Sequence, residues 1–133
     1  MRALVLSRYG GPECTALTDV PKPSPRAGEL LVRVHAAGLN PVDYKTRAGA
    51  LRVIHRYPLP IVMGNELSGI VEAVGPRVTR FAKGDRVFAR VDKDIMGAFA
   101  DYAVVHEDHA AGPALPVPRV LRETARWRNS PLK

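Results

Sequence analysis

Turn-forming residues come so often in this chain that no regular element can run far. The 133 residues include 12 prolines and 11 glycines, and most of them separate short apolar stretches from one another. Tyr9-Gly10-Gly11-Pro12 is a turn cluster after the apolar Ala3–Leu6, and Thr15–Val20 can return beside it as a second strand. Pro21, Pro23 and Pro25 make an extended connector that is closed to helix. In Glu29–Ala37, Leu30, Val32, Val34 and Ala36 fall on one side of a period-two pattern, with Leu31, Arg33 and His35 on the other. That polarity predicts a half-buried strand.

Further strands are expected over Leu67–Val74, Arg86–Val91 and Ala98–Val105, and Leu51–Met63 with its two prolines reads as irregular. The strand at Arg86 is entered through Lys83-Gly84-Asp85, where Asp85 can accept from the backbone of its own turn and Gly84 has the dihedral freedom the turn needs. One short helix interrupts the β pattern. Asn40 suits the N-cap, Pro41 the first helical position and Gly49 the stop, so a helix is predicted over Pro41–Ala48. Gly64 and Gly69 bracket a strand entry where side chains would collide with a close backbone or ligand. Short strands with turns between them and small helices predict an all-β barrel or sandwich.

Charge and cysteine content narrow the function classes. The net charge is +7, but residues 1–109 hold 15 Lys and Arg against 12 Asp and Glu, while residues 110–133 hold five against the single Glu123. The basic excess therefore lies largely in the last segment, whose one aromatic is Trp127, and base stacking on such a segment is disfavoured. No apolar run approaches the roughly 18 residues of a membrane helix, and the apolar start after Arg2 ends too soon for a secretory signal, which points to a cytoplasmic protein. Cys14 is the only cysteine, so neither an internal disulfide nor a multi-cysteine zinc site can form. His106 and His109 are three apart without a third convergent ligand and read as chance neighbours, and His35 and His55 as ordinary strand and loop residues. After His109 the texture changes to Ala, Pro and Arg. Residues 1–109 are thus expected to form one domain and 110–133 a loosely ordered basic tail without a strand, with a weak helix over Arg119–Arg128.

Three segments carry a resemblance. They are Gly28–Val34 running into Ala37-Gly38-Leu39-Asn40-Pro41-Val42-Asp43-Tyr44-Lys45, then Gly64-Asn65-Glu66-Leu67-Ser68-Gly69 through Gly75, then Phe81-Ala82-Lys83-Gly84-Asp85-Arg86-Val87. In this order and spacing they resemble the zinc-independent medium-chain dehydrogenase/reductases of the quinone oxidoreductase kind, over roughly residues 1–109. The resemblance implies a mainly β, GroES-like, partly open barrel as the catalytic domain. It implies hydride transfer from NADPH to a quinone or an α,β-unsaturated carbonyl. Where zinc alcohol dehydrogenases of that superfamily place a cysteine and a histidine, this chain has Asn40 and Asn65, and neutral amides are poor zinc ligands. Without a metal, the carbonyl oxygen must be polarised by hydrogen-bond donors as charge develops on it. The candidate catalytic residues are Asn40, Tyr44 and Lys45, and the candidate cofactor contacts are Asp43, Lys45 and Asn65, with Asp43 also placed to orient Lys45 or a water.

The 133 residues contain no Gly-x-Gly-x-x-Gly and no βαβ pattern, so the nucleotide-binding (Rossmann) half found in that family is absent from the sequence. A truncated or frame-shifted relative, inactive alone, is the expectation. It would bind NADPH weakly and would associate with itself or with a complementing Rossmann-domain chain. A non-enzymatic GroES-like interaction module is the alternative.

Overall fold

The computed structural model describes residues 1–112. Strands β1 (Arg2–Leu6), β2 (Thr15–Asp19) and β3 (Glu29–Gly38) precede helix α1 (Pro41–Ala48). Strands β4 (Ile61–Val62), β5 (Glu66–Val74), β6 (Arg86–Arg90), β7 (Tyr102–His106) and β8 (Ala110–Ala111) follow it. They form two antiparallel sheets, one ordered β2-β1-β4 and the other β7-β3-β5-β6-β8. The chain is mainly β and has the curled sheet of a GroES-like domain, as the sequence predicts.

Alternation explains which faces are buried. In β6, Val87 and Ala89 point inward and Arg86, Phe88 and Arg90 outward; in β7, Ala103 and Val105 are buried. With Leu30, Val32, Leu67 and Val71 these residues make the main core. A second cluster of Leu6, Cys14 and Met63 lies under β1, and Phe99 packs against both.

Two features of β3 depart from the expected alternation. Leu31, predicted on the polar side, is 5% exposed, whereas Ala36, predicted in the core, lies at the surface. The β3–β5 register breaks between Leu31 and Val32 and again between Val34 and Ala36. Each bulge bends and twists the strand, so strict alternation cannot persist along all ten residues. At Gly69 the opposing backbone comes so close that a Cβ would strike the Arg33 carbonyl. At Gly64 (φ 99°) a Cβ would meet the Phe99 ring and backbone nitrogen. Both collisions are those the sequence predicts for these glycines.

The strand expected over Ala98–Val105 begins only at Tyr102. The preceding residues bond to the other sheet: Leu4 N–H donates to Phe99 O, Phe99 N–H to Met63 O and Asp101 N–H to Arg2 O. This crossing joins the two sheets and holds Met63 and Phe99 below α1. The sheet also continues past His109, because Ala110–Ala111 pairs with β6 as β8, where the sequence reading expected no strand. The weak helix expected over Arg119–Arg128 and the rest of the expected tail lie outside the described residues.

Candidate functional site

Helix α1 positions the polar residues, and local chemistry fixes its ends. Asn40 is extended at the N-cap (φ −125°, ψ 155°), Pro41 occupies the first turn, and Gly49 closes the helix in the left-handed region at φ 79°. Asp43 Oδ2 accepts the Asn40 backbone N–H at 2.7 Å, which satisfies a donor that a helix start leaves open. Oδ1 of the same carboxylate accepts the Asn65 side-chain amide at 2.8 Å. An amide facing a carboxylate must present its nitrogen, so this contact also sets which way Asn65 is turned. Met96, in the left-handed region at φ 53°, brings its sulfur to 3.9 Å from the same amide nitrogen. Asp43 and Asn65 are 5% and 4% exposed, so they tie α1 to the start of β5 from inside the domain.

A pocket of about 440 Å³ opens over the start of α1. Leu4, Leu39, Met63 and Phe99 supply its apolar walls, and Thr15, Asn40, Asp43, Tyr44 and Arg47 its polar ones. The side-chain nitrogen Nδ2 of Asn40 is shut off from water and has no hydrogen-bond partner among the described residues. Leaving such a donor unpaired costs roughly 1–3 kcal/mol. Tyr44 stands at the rim, 53% exposed, beside Leu39 at 84%. A wider depression of about 660 Å³, lined by Glu66, Phe88, Arg90 and His109 among others, lies along β5, β6 and β8.

The structure thus joins three of the sequence-predicted residues, Asn40, Asp43 and Asn65, in one hydrogen-bonded group, and sets Tyr44 on the same pocket. Lys45 is different. At about 100° per residue, Asn40, Asp43, Tyr44 and Arg47 share one stripe of α1, and Lys45 falls roughly 150° from its centre. It is exposed and does not line the pocket. Nor does Asp43 orient Lys45 as expected, because among the described residues no hydrogen bond or ion pair joins them and both Asp43 oxygens face other partners. Arg47 is the pocket residue that sequence reasoning missed. The helix period over Pro41–Ala48 was signal enough to prefer it to Lys45.

Outside this site, Glu107 Oε2 accepts the backbone N–H groups of Thr79 and Arg80 at 3.1 and 3.0 Å. Those bonds, that of Arg80 foremost, hold its carboxyl below the usual glutamate range. Burial, then the nearby Asp94 carboxylate, raises the Tyr57 phenol. The His106 and His109 rings lie 5.9 Å apart between centres, tilted at 57°, and the His106 ring accepts from Asp108 N–H within the local turn. Among the described residues, no three of His, Cys, Asp and Glu converge as a metal-holding group, and no helix is long and apolar enough to cross a membrane.

Residues 26–118 match the alcohol dehydrogenase GroES-like domain family. The chain is 39% identical over 109 residues to the quinone oxidoreductase of Mus musculus, a match covering 81% of this chain and 32% of that protein. The quinone oxidoreductase structure from Coxiella burnetii superposes with a TM-score of 0.77 at 33% identity, over 84% of this chain and 36% of that one. A mycobacterial structure complexed with NADPH superposes with a TM-score of 0.74 at 35% identity, over 90% of this chain and 34% of that one. The chain therefore spans about a third of the length of the curated relatives it matches.

Proposed function

Because the chain belongs to the alcohol dehydrogenase GroES-like domain family, we propose that it is the acceptor-binding part of an NADPH-dependent, zinc-independent oxidoreductase acting on quinones or α,β-unsaturated carbonyls. The observation that carries this reading is the unpartnered Asn40 Nδ2 at a mostly apolar pocket. A mostly apolar pocket with an amide in its lining suits a flat carbonyl compound whose oxygen gains charge during reduction. A donor held in place beforehand stabilises that charge without reorganising when the reaction occurs.

Each residue has a distinct part. Asn40 donates to the acceptor oxygen and is the candidate catalytic residue. Tyr44, at the rim, offers a hydroxyl to the acceptor or to the nicotinamide end of the cofactor. Asp43 and Asn65 are positioning residues, because their burial and mutual bond suit holding the Asn40 turn better than touching a cofactor. Lys45 has no part in the pocket chemistry. NADPH, when bound, supplies the hydride. Zinc does not fit the donor set, since the amides Asn40 and Asn65 stand beside an Asp43 whose two oxygens already accept hydrogen bonds. A cytoplasmic location goes with small soluble substrates of this kind.

Nitrogen-15 NMR of the chain during titration with benzylideneacetone, a neutral enone, tests the reading. The Asn40 side-chain amide should shift in a saturable way, and Asn40→Leu should abolish binding. An enone that leaves every α1 resonance unmoved would overturn it. By calorimetry NADPH should bind this chain weakly, since no glycine-rich phosphate loop is present in its sequence.

A further inference from the structure

We infer that the α1 pocket selects acceptors bearing an anionic group about two helical turns from the reducible carbonyl, and that Arg47 is the residue that selects them. This rests on the proposed function in taking the pocket as the acceptor site. Arg47 lies on the same stripe of α1 as Asn40, Asp43 and Tyr44 and lines the pocket with them. Its Nε is shut off from water and has no hydrogen-bond partner among the described residues. Among the described residues no ion pair reaches its guanidinium. The one carboxylate in the lining, Asp43, already accepts from the Asn40 backbone and from Asn65. The positive charge of this pocket residue is therefore not cancelled by a close pair among the described residues.

Leu4, Met63 and Phe99 make the surrounding wall apolar, and a charge-assisted bond gains strength where water is scarce. The guanidinium presents its donors as a planar fork, which matches a carboxylate better than a neutral oxygen. Asn40 and Arg47 are seven residues apart, or roughly 10 Å along the helix axis. A conjugated carbonyl compound with a carboxylate at its far end spans that interval. It would meet the Asn40 amide at one end and the Arg47 fork at the other, with its apolar middle against Phe99 and Met63. The diphosphate of a nucleotide cofactor has the same anionic chemistry, but it has no apolar body for these walls.

The test compares three probes on the 133-residue chain: benzylideneacetone, its para-carboxylate, and inorganic pyrophosphate. Nitrogen-15 NMR follows the Asn40 side-chain amide and the Arg47 Nε–H. The para-carboxylate should move both resonances and bind about tenfold or more tighter than the neutral enone, as expected for a hydrogen bond to a charged group. Arg47→Met should erase that preference. Equal affinities of the two enones for the wild-type chain would overturn the inference without recourse to any variant, and would leave the proposed function standing. Pyrophosphate moving Arg47 as strongly as the carboxylate would assign the charge to a cofactor and overturn it too. A carboxylate that moves Arg47 but not Asn40 would also overturn it. A neutral enone that leaves Asn40 unmoved would instead sink the proposed function.

Discussion

Asn65 donates to Asp43 where neither side chain has appreciable exposure, so a change at one is felt by the other. Asn65→Asp would set two carboxylates within hydrogen-bond reach, and both cannot ionise there without repulsion. At pH 7 the variant should be less stable by about 1–3 kcal/mol. The deficit should shrink as the pH falls and the two share a proton, and urea denaturation at pH 7 and pH 5 reads the difference. Gly69 constrains the fold in another way. Gly69→Ala would drive a methyl into the Arg33 carbonyl across the β3–β5 pair, and should lower stability by roughly 1–3 kcal/mol or prevent folding. A melting curve matching the wild type would show that the strands can part without cost. Gly64, Gly69 and Gly84 were legible in the sequence, because glycine at a strand entry or turn signals a backbone need. The Asp43–Asn65 bond was not, since the two are 22 positions apart and nothing in either local pattern points to the other.

At the scale of elements, α1 was fully legible, with both its bounds and its caps set by residues within the segment. Gly49→Ala should destabilise the chain by about 1 kcal/mol, because a side chain is strained at φ 79°. Its Cβ would also lie 3.1 Å from that of Tyr9, and thermal denaturation measures the sum. The turn before His109 depends on acid. Glu107 has its carboxyl held below the ordinary value of 4.5, chiefly by the N–H of Arg80. A lowered folded-state value means a stabilisation that is fully present above the unfolded value and is lost as the pH falls through the folded one. Stability should therefore drop below about pH 4. Glu107→Gln should flatten that acid limb, and melting temperatures from pH 3 to pH 7 would show whether it does. The faces of β3 and the start of β7 were misjudged from sequence. Bulges answer to the partner strand, and residues 98–101 pair with β1 across the sheets, so neither can be seen in one segment's alternation.

At the scale of the molecule, Leu39, Tyr44, Val53, Ile54, Phe88 and Ile95 are large apolar residues at the surface. The β2 and β7 strands stand at sheet edges. Unpaired edges and exposed apolar side chains favour association, so the chain should form larger species as its concentration rises. Light scattering that reports a monomer throughout a concentration series would contradict this. The sequence by itself determined the class of fold, helix α1 with its caps, and the three segments that mark the family. Each of these is written in residues near one another along the chain, as turn chemistry, period and spacing. The tertiary structure alone decided which polar residues share a pocket. It bonded Asn65 to Asp43, put Asn40 and Arg47 in the lining of one mostly apolar pocket, and left Lys45 out of it. Only the packing of α1 over the crossing between the two sheets sets which stripe of the helix is enclosed.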